Sequence, residues 1–281
     1  MQIAVLSGKG GTGKTFLSVN LAAAAKSAVY VDCDVEEPNG YLFLKPQKIK
    51  TVPVEVDIPE FDNEKCSGCR ACMRFCRFNA LVMIKGKPRL FPELCHSCSG
   101  CVLVCPCRAI HEVKRRVGVI DFGKRGEISV LTGTLDSGEA TGVPVIRQLL
   151  KNVPAEETVI VDCPPGSSCT VMESIKQADY CLLVAEPTLF GAENMKLVVR
   201  LVKVFGKNCG IVINKDDNEK NNPIEKIAEE NDLPILARIP YDRKLAESNA
   251  RGEIAAENEK YARFFCELYR KIKRDPDAKR G

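Results

Sequence analysis

The stretch IAVLSGKGGTGKT, residues 3–15, contains the pattern that decides the fold. Residues 3–6 predict a short buried strand, the glycine-rich segment predicts a tight loop, and FLSVNLAAAAK at 16–26 predicts a helix. Glycines let backbone N–H groups converge on phosphate oxygens at the start of such a helix. We therefore expect nucleotide phosphates to bind at Gly8, Gly10, Gly11, Thr12, Gly13, Lys14 and Thr15.

The last residues of this loop have separate expected roles. In the complete GxxxxGK[ST] pattern, Lys14 reaches the β and γ phosphates of ATP and the Thr15 hydroxyl ligates Mg²⁺. The alternative is a glycine turn before an ordinary helix, which the full spacing disfavours.

A second lysine, Lys9, follows the first glycine of GKGGTGKT. This loop resembles the deviant phosphate loop of the MinD/ParA and nitrogenase-iron-protein superfamily. In that class the lysine reaches across a dimer interface to the partner's nucleotide. The resemblance thus implies a catalytic Lys9 and an ATP-dependent homodimer, while the alternative reading is a solvated loop lysine.

Two further strands end in aspartates at positions that this superfamily uses. VYVDCDVEEPN at 29–39 resembles switch I, with Asp32 and Asp34 after the strand, and the resemblance implies that Asp34 orients the attacking water. TVIVDCPPG at 158–166 resembles the Walker B and switch II segment. There Asp162 would hold Mg²⁺ and Gly166 would offer its N–H to the γ-phosphate. For each aspartate alone, a capping or turn role is the alternative.

The adenine end of the site is also suggested by resemblance. GIVINK at 210–215 places Asn214 at the superfamily's adenine-reading position, and IPYD at 239–242 resembles the loop that walls the base, with Pro240, Tyr241 and Asp242.

The middle of the chain contains two runs with the spacing C-x₂-C-x₂-C-x₃-C. This spacing is that of bacterial ferredoxins, in which the fourth cysteine of each run ligates the other run's cluster. The resemblance implies one [4Fe-4S] cluster on Cys66, Cys69, Cys72 and Cys105, and a second on Cys95, Cys98, Cys101 and Cys76. ALVMIKGKPRLF at 80–91 predicts a hairpin with its turn at residues 85–88. Zinc is the competing metal, because C-x₂-C pairs also build zinc ribbons.

Other cysteines have less specific expectations. Cys181 and Cys209 lie in apolar strands and should be inert core residues. Cys169 lies about where the nitrogenase iron protein keeps a ligand of a cluster that bridges its dimer. Because residues 131–142 contain no cysteine to supply the second ligand, we interpret Cys169 as structural.

Apolar runs alternate with helical segments outside the cysteine block, which predicts an α/β protein with a doubly wound, mostly parallel sheet. We expect an ATPase domain split into residues 1–56 and 114–281, with an inserted ferredoxin domain at 57–113. The final segment, NEKYARFFCELYRKIKR at 258–274, predicts an amphipathic helix packed on the sheet, with membrane binding as the alternative.

Composition limits the partners and location. The formal net charge is +4 and no long block of like charge occurs, which disfavours nucleic acid as a partner. The N-terminal residues lack a signal-peptide pattern, and no apolar run is long enough to span a membrane, so we expect a cytoplasmic protein. Fifteen cysteines in such a protein indicate metal or redox chemistry.

Together these features favour an ATP-hydrolysing iron–sulfur protein that couples a dimer switch to electron transfer, or to metal-centre assembly, on an unidentified redox or metalloprotein partner. The alternative is a MinD-like positioning or regulatory ATPase whose clusters are a redox sensor or a structural staple. A ferredoxin with a vestigial ATP site is a third possibility, which the intact loop and aspartates disfavour.

Overall fold

The computed structural model describes residues 1–154, 157–217 and 222–275, in which strands alternate with helices. The strands are β1 Gln2–Ser7, β2 Ala28–Asp32, β3 Gln47–Phe61, β4 Leu81–Ile84, β5 Lys87–Leu90, β6 Ile110–Arg125, β7 Ile128–Leu135, β8 Val159–Asp162, β9 Tyr180–Ala185, β10 Asn208–Asp216 and β11 Ile235–Pro240. The helices are α1 Lys14–Ala25, α2 Gly40–Leu44, α3 Ala71–Phe75, α4 Gly100–Leu103, α5 Val143–Lys151, α6 Cys169–Ile175, α7 Leu189–Val204, α8 Pro223–Asn231, α9 Arg243–Ala250 and α10 Glu259–Arg274.

Nine of the strands form one sheet in the order β11-β10-β9-β1-β8-β2-β7-β6-β3. The strands from β11 to β7 are parallel to their neighbours, whereas β6 and β3 are antiparallel. Parallel neighbours need crossover connections, and here helices supply them. The mostly parallel α/β fold expected from the sequence is confirmed.

Both faces of the sheet are covered, as the apolar runs predicted. Side chains alternate along a strand, so Ile3 and Val5 of β1 enter one core while Ala4 and Leu6 enter the other. Helices α1, α2, α9 and α10 cover the first face, and α5 to α8 cover the second. Strand β1 is therefore fixed on both sides, which holds the loop that follows it.

The antiparallel edge of the sheet extends into a long ribbon. β3 and β6 pair from Gln47 with Lys124 to Phe61 with Ile110, but β6 pairs with β7 only from Gly118 onward. Beyond that point the two strands continue with no third strand beside them. The ribbon carries residues 62–109, and the predicted boundaries at 57 and 113 fall inside its two strands.

The segment at the end of the ribbon has little regular structure. It contains the short helices α3 and α4, a 3₁₀ turn at Pro92–Leu94, and the hairpin of β4 and β5. The predicted hairpin is therefore present, although its turn is shorter than expected. Only Lys85 and Gly86 lie between the strands, both with positive φ, and Pro88 already pairs with Met83.

The C-terminal helix α10 packs against the fold. Phe265, Leu268 and Ile272 are buried, and the Phe265 ring meets Phe16 of α1 edge-on at 5.7 Å. Within the described ranges, no helix is both long and apolar enough to cross a bilayer.

Candidate functional site

The loop between β1 and α1 is shaped by glycines that no larger residue could replace. Gly13 has a φ of 94°, and a Cβ there would lie 2.2 Å from the amide nitrogen of Asn214. A Cβ on Gly8 would lie 2.6 Å from the backbone of Asn194. The loop borders a cavity of about 600 Å³. The predicted residues that line this cavity are Lys9, Gly10, Gly11, Gly13, Lys14, Thr15 and Asp34.

Lys14 is buried at the floor of this cavity and is held by two aspartates. Its Nζ lies 2.8 Å from Asp162 Oδ1 and 3.4 Å from Asp34 Oδ2. Burial alone would lower the pKa of Lys14, but the charges of Asp162 and then Asp34 raise it above its ordinary value. The lysine is therefore charged at any physiological pH, as phosphate binding requires.

Asp162 is fully buried, and its carboxylate has two further donors that sequence reasoning missed. Ser18 Oγ donates to Oδ1 at 3.1 Å, and Tyr30 Oη donates to Oδ2 at 3.0 Å. Ser18 follows Lys14 by one helical turn, so helical periodicity could have identified it. Tyr30 had no such signal, because its contact with Asp162 depends on how β2 pairs with β8 in the sheet.

Asp32 and Asp34 follow β2 in different environments. Asp32 is fully buried and accepts hydrogen bonds from the N–H groups of Gly40 and Asp34. Burial, followed by the charge of Asp162, raises the pKa of Asp32 to about 8. Asp34 is partly exposed to the cavity, and burial raises its pKa while Lys14 opposes the shift. Asp34 is thus the carboxylate that a water molecule in the cavity can reach.

The Gly166 N–H donates to the Ser7 carbonyl at 2.8 Å. The predicted donor to the γ-phosphate is therefore engaged with the phosphate loop in this conformation. Its φ of 90° is one that glycine adopts without strain, so the peptide can reorient when a stronger acceptor enters.

Lys9 is also engaged within the chain. Its Nζ lies 2.6 Å from Glu186 Oε2, and Lys215 lies 2.5 Å from the other oxygen of Glu186. Sequence reasoning missed Glu186, which directly follows the apolar strand β9 beside β1; acidic residues at the carboxyl ends of parallel strands are the signal that could have found it.

The predicted adenine residues surround a second cavity of about 280 Å³, lined by Asn214, Pro240, Tyr241 and Asp242 together with Gly11 and Gly13. The Asn214 amide donates to the Thr12 carbonyl at 2.7 Å, which ties β10 to the phosphate loop. The Asp242 carboxylate caps α9 and accepts a hydrogen bond from Tyr261, which lowers its pKa. Asp242 therefore fixes the start of α9 and the Tyr261 side chain at the rim of this cavity.

The eight cysteines of the two runs gather into the two groups that the resemblance implied. One small cavity is lined by Cys66, Cys69, Cys72 and Cys105, with Cys107 as a fifth cysteine, and another is lined by Cys76, Cys95, Cys98 and Cys101. Neither cavity has a carboxylate in its lining. We call these the first and second cysteine groups.

The two runs also repeat one backbone conformation. Gly68 and Ser97, Arg70 and Ser99, and Asn79 and Arg108 are pairs with positive φ, and each pair has the same spacing as Cys66 and Cys95. Left-handed backbone conformations cost energy for residues with side chains. Their repetition therefore indicates that the turns of both runs require the same backbone geometry. In addition, the Ala109 N–H donates to Cys105 Sγ at 3.3 Å.

The described residues contain no ready-made site for a metal ion. No three His, Cys, Asp or Glu side chains in the described ranges are close enough to share one metal ion. A [4Fe-4S] cube takes four separate thiolates, one at each iron, and does not require them to meet at one point. Four cysteines around a common cavity therefore fit the donor set of a cube.

The remaining predictions for cysteines have mixed outcomes. Cys181 and Cys209 are buried, and burial raises the pKa of both thiols, to about 12 and about 11 respectively. Cys169 is exposed at the first residue of α6, so it does not contribute to the core as the structural interpretation would suggest.

The sequence and the fold of the chain are similar to those of known proteins. The family described as the CobQ/CobB/MinD/ParA nucleotide binding domain matches residues 3–255. Uncharacterized protein MJ0578 of Methanocaldococcus jannaschii is 31% identical over 97% of this chain and 96% of that protein. An iron-sulfur cluster carrier protein of Pyrococcus horikoshii is 25% identical over 96% of this chain and 85% of that protein. The septum site-determining protein MinD of Pyrococcus horikoshii, solved with Mg-ADP, superimposes with a TM-score of 0.62 at 18% identity over 99% of both chains.

Proposed function

Because the chain belongs to the CobQ/CobB/MinD/ParA nucleotide-binding family, we propose that it couples ATP hydrolysis to electron transfer, or to metal-centre assembly on a partner, through two [4Fe-4S] clusters. Its fold is that of a MinD/ParA-like ATPase. One observation carries the iron–sulfur part of the proposal. The eight cysteines of the two runs form two groups of four, on a ribbon that extends from the sheet of the ATPase.

The residues of the phosphate cavity suit ATP hydrolysis. Lys14 would exchange Asp162 for the β and γ phosphates, and the freed Asp162 would hold Mg²⁺ through water, together with Thr15. Asp34, at the cavity wall, would orient the attacking water. The Gly166 N–H would leave the Ser7 carbonyl and donate to the γ-phosphate instead. The conformation of the segment around Gly166 would then depend on whether the third phosphate is present.

Lys9 supports a nucleotide-dependent homodimer. In this chain it is paired with Glu186, and this pair must break before Lys9 can reach a nucleotide on another subunit. Dimerisation would therefore compete with an ion pair inside each subunit, and ATP, which carries more negative charge than ADP, would favour the exchange.

The two cysteine groups would each hold one cluster through four thiolates. Such clusters transfer single electrons at potentials set by hydrogen bonds to sulfur and by solvent exposure. The hydrogen bond from the Ala109 N–H to Cys105 is of this kind, and Cys69 and Cys98 are exposed. The iron–sulfur role named for the Pyrococcus horikoshii carrier protein gives independent support to an iron–sulfur context.

The charge of the cysteine block indicates the chemistry of its partner. Residues 62–109 contain eight Lys and Arg against three Asp and Glu, whereas the whole chain carries only +4. Arg74 donates to the Cys69 carbonyl at 3.0 Å, and Arg70 lines the first cysteine group. Since opposite charges steer association, we propose that an acidic redox or metalloprotein docks at the first group.

A positioning or regulatory ATPase, with the clusters as sensor or staple, is the second candidate. MinD-like positioning would need the apolar face of the C-terminal helix to contact lipid. That face contains Phe265, Leu268 and Ile272, which are buried inside the fold. We therefore rank this function below the first.

The iron–sulfur proposal is tested by anaerobic purification followed by measurement of iron, acid-labile sulfide and zinc. We expect about eight iron and eight sulfide per chain, as two cubes require. Cys69→Ser should lose about half of both, whereas Cys169→Ser, which changes an exposed cysteine outside the two groups, should lose none. Stoichiometric zinc without sulfide in the wild-type protein would refute the proposal.

A further inference from the structure

Arg115 lies on the free half of the ribbon and contacts two different parts of the molecule. Its guanidinium forms a two-bond pair with Glu139, with NH1 at 2.7 Å from Oε1 and NH2 at 2.5 Å from Oε2. The same NH2 donates to the Pro92 carbonyl at 3.1 Å. One side chain thus joins the cysteine block to the loop that follows β7.

The pair is more protected than the arginine pair next to it on this strand. The side chains of Arg115 and Glu139 are 22% and 9% exposed, whereas those of neighbouring Arg116 and its partner Asp136 are 59% and 33% exposed. A two-bond pair shielded from water is stronger and more directional than an exposed one. Arg115 therefore holds a defined position, and Arg116 provides a natural comparison.

Glu139 belongs to a loop that packs on the nucleotide site. The Leu135 N–H, at the end of β7, donates to the Val35 carbonyl at 2.8 Å. Gly142, at the other end of the loop, approaches Val35 so closely that a Cβ would lie 2.5 Å from its side chain. Val35 itself lines the nucleotide cavity beside Asp34. A shift of the residues after β2 would therefore move both ends of the loop that carries Glu139.

On its other side, Arg115 reaches the second cysteine group. Pro92 begins the 3₁₀ turn that ends at Leu94, directly before Cys95. Arg115 Nε is buried and has no hydrogen-bond partner among the described residues. A buried donor without an acceptor therefore lies on the side chain that holds the turn before Cys95.

We propose that Arg115 and Glu139 are a positioning pair that transmits the state of the nucleotide site to the second cysteine group. The inference rests on the proposed function, since it assumes that the group holds a cluster. Reordering of residues 34–37 around a γ-phosphate moves Val35, the loop at 135–142 follows, and Glu139 repositions Arg115 against Pro92 and the Cys95 segment. The first cysteine group lacks such a link to Glu139 and should respond less.

The test compares wild type with Glu139→Gln, Arg115→Lys and the control Arg116→Gln, each with ADP and with a non-hydrolysable ATP analogue. Hydrogen–deuterium exchange of residues 92–98 reports the link directly, with or without clusters. A redox titration of the loaded protein then reports whether the potential of one cluster depends on the nucleotide. Unchanged analogue affinity shows that each variant is folded.

We expect a nucleotide-dependent change in exchange at 92–98 for wild type and Arg116→Gln, and its loss in Glu139→Gln and Arg115→Lys. The nucleotide-dependent shift in potential should be lost in the same two variants. Persistence of both effects in Glu139→Gln, or no nucleotide effect at 92–98 in wild type, would overturn the inference. Failure of the iron–sulfur proposal would be distinct, because the protein would then lack iron and sulfide whatever the exchange shows.

Discussion

The nucleotide cavity and the cysteine block are built in opposite ways. The cavity collects side chains from distant parts of the sequence, and the sheet and its two buried cores hold them in place. The block takes all its cysteines from one short segment with few buried side chains and very short helices. The first site is therefore preorganised by the fold, whereas we propose that the second is ordered by the clusters its cysteines would bind.

The largest effect should follow from removing the centre of the preorganised site. Lys14→Ala should reduce ATP hydrolysis by about 10³-fold, because the charge that stabilises the phosphates is lost. It should also destabilise the fold by about 3 kcal/mol, because Asp162 remains buried without its cation.

The measurements are steady-state hydrolysis and urea unfolding, with Lys26→Ala, at the exposed residue that directly follows the same helix, as the control. Iron content should stay at the wild-type value in both variants. Normal hydrolysis by Lys14→Ala would contradict the site assignment.

Removal of iron should affect the cysteine block and leave the nucleotide site unchanged. Chelation under denaturant-free conditions should increase amide exchange throughout residues 62–109, because these residues have too small a core to fold without metal. Exchange in β1, β8 and β9 and the affinity for ATP should be unchanged, since that part has its own buried cores. Equal protection of the block before and after chelation would show that it does not depend on metal.

Lys9 tests whether the cavity is complete within one subunit. Lys9→Ala should lose ATP-dependent dimerisation and most hydrolysis. Glu186→Gln should strengthen ATP-dependent dimerisation by roughly tenfold, because breaking a partly buried charge pair costs on the order of 1 kcal/mol. Analytical ultracentrifugation with ADP and ATP measures both, and a fully active Lys9→Ala monomer would refute the dimer.

The smallest expected effect concerns pH. The pKa of Asp32 is about 8 in the folded protein, because of burial first and the charge of Asp162 second, whereas an unfolded aspartate ionises near pH ~4. The stabilisation from its protonated form is complete below about pH 4 and is lost as the pH rises towards 8. Asp32→Asn should therefore lose less stability between pH 5 and 8 than wild type.

Urea unfolding of both proteins at several pH values measures this difference. The asparagine oxygen can still accept the Gly40 N–H, so the comparison isolates the carboxyl proton. Parallel pH profiles for the two proteins would contradict the shifted pKa.

The two regions also differ in how far sequence could predict them. Local patterns indicated β1, the glycine loop and α1, and the resemblance to the superfamily singled out Asp34 and Asp162, both of which lie beside Lys14. Glu186, which directly follows β9, was not singled out. The Tyr30 contact with Asp162 could not be predicted, because it depends on the register between β2 and β8, which are far apart in sequence.

For the cysteine block, the resemblance to ferredoxins implied two sets of four cysteines, and each set lines one cavity. The ribbon could not be predicted, because the pairing of β3 with β6 is set by register between segments far apart in sequence. The contact of Arg115 with Glu139 has no sequence signal for the same reason, since it joins the ribbon to a loop beyond β7.

The central claim is that a nucleotide switch and two iron–sulfur clusters act together in one chain. It is tested most directly by an anaerobic redox titration followed by electron paramagnetic resonance, first with ADP and then with ATP and Mg²⁺. The account predicts two [4Fe-4S] signals, and a potential or line shape of at least one that changes with ATP. Signals that are identical with both nucleotides would contradict the coupling.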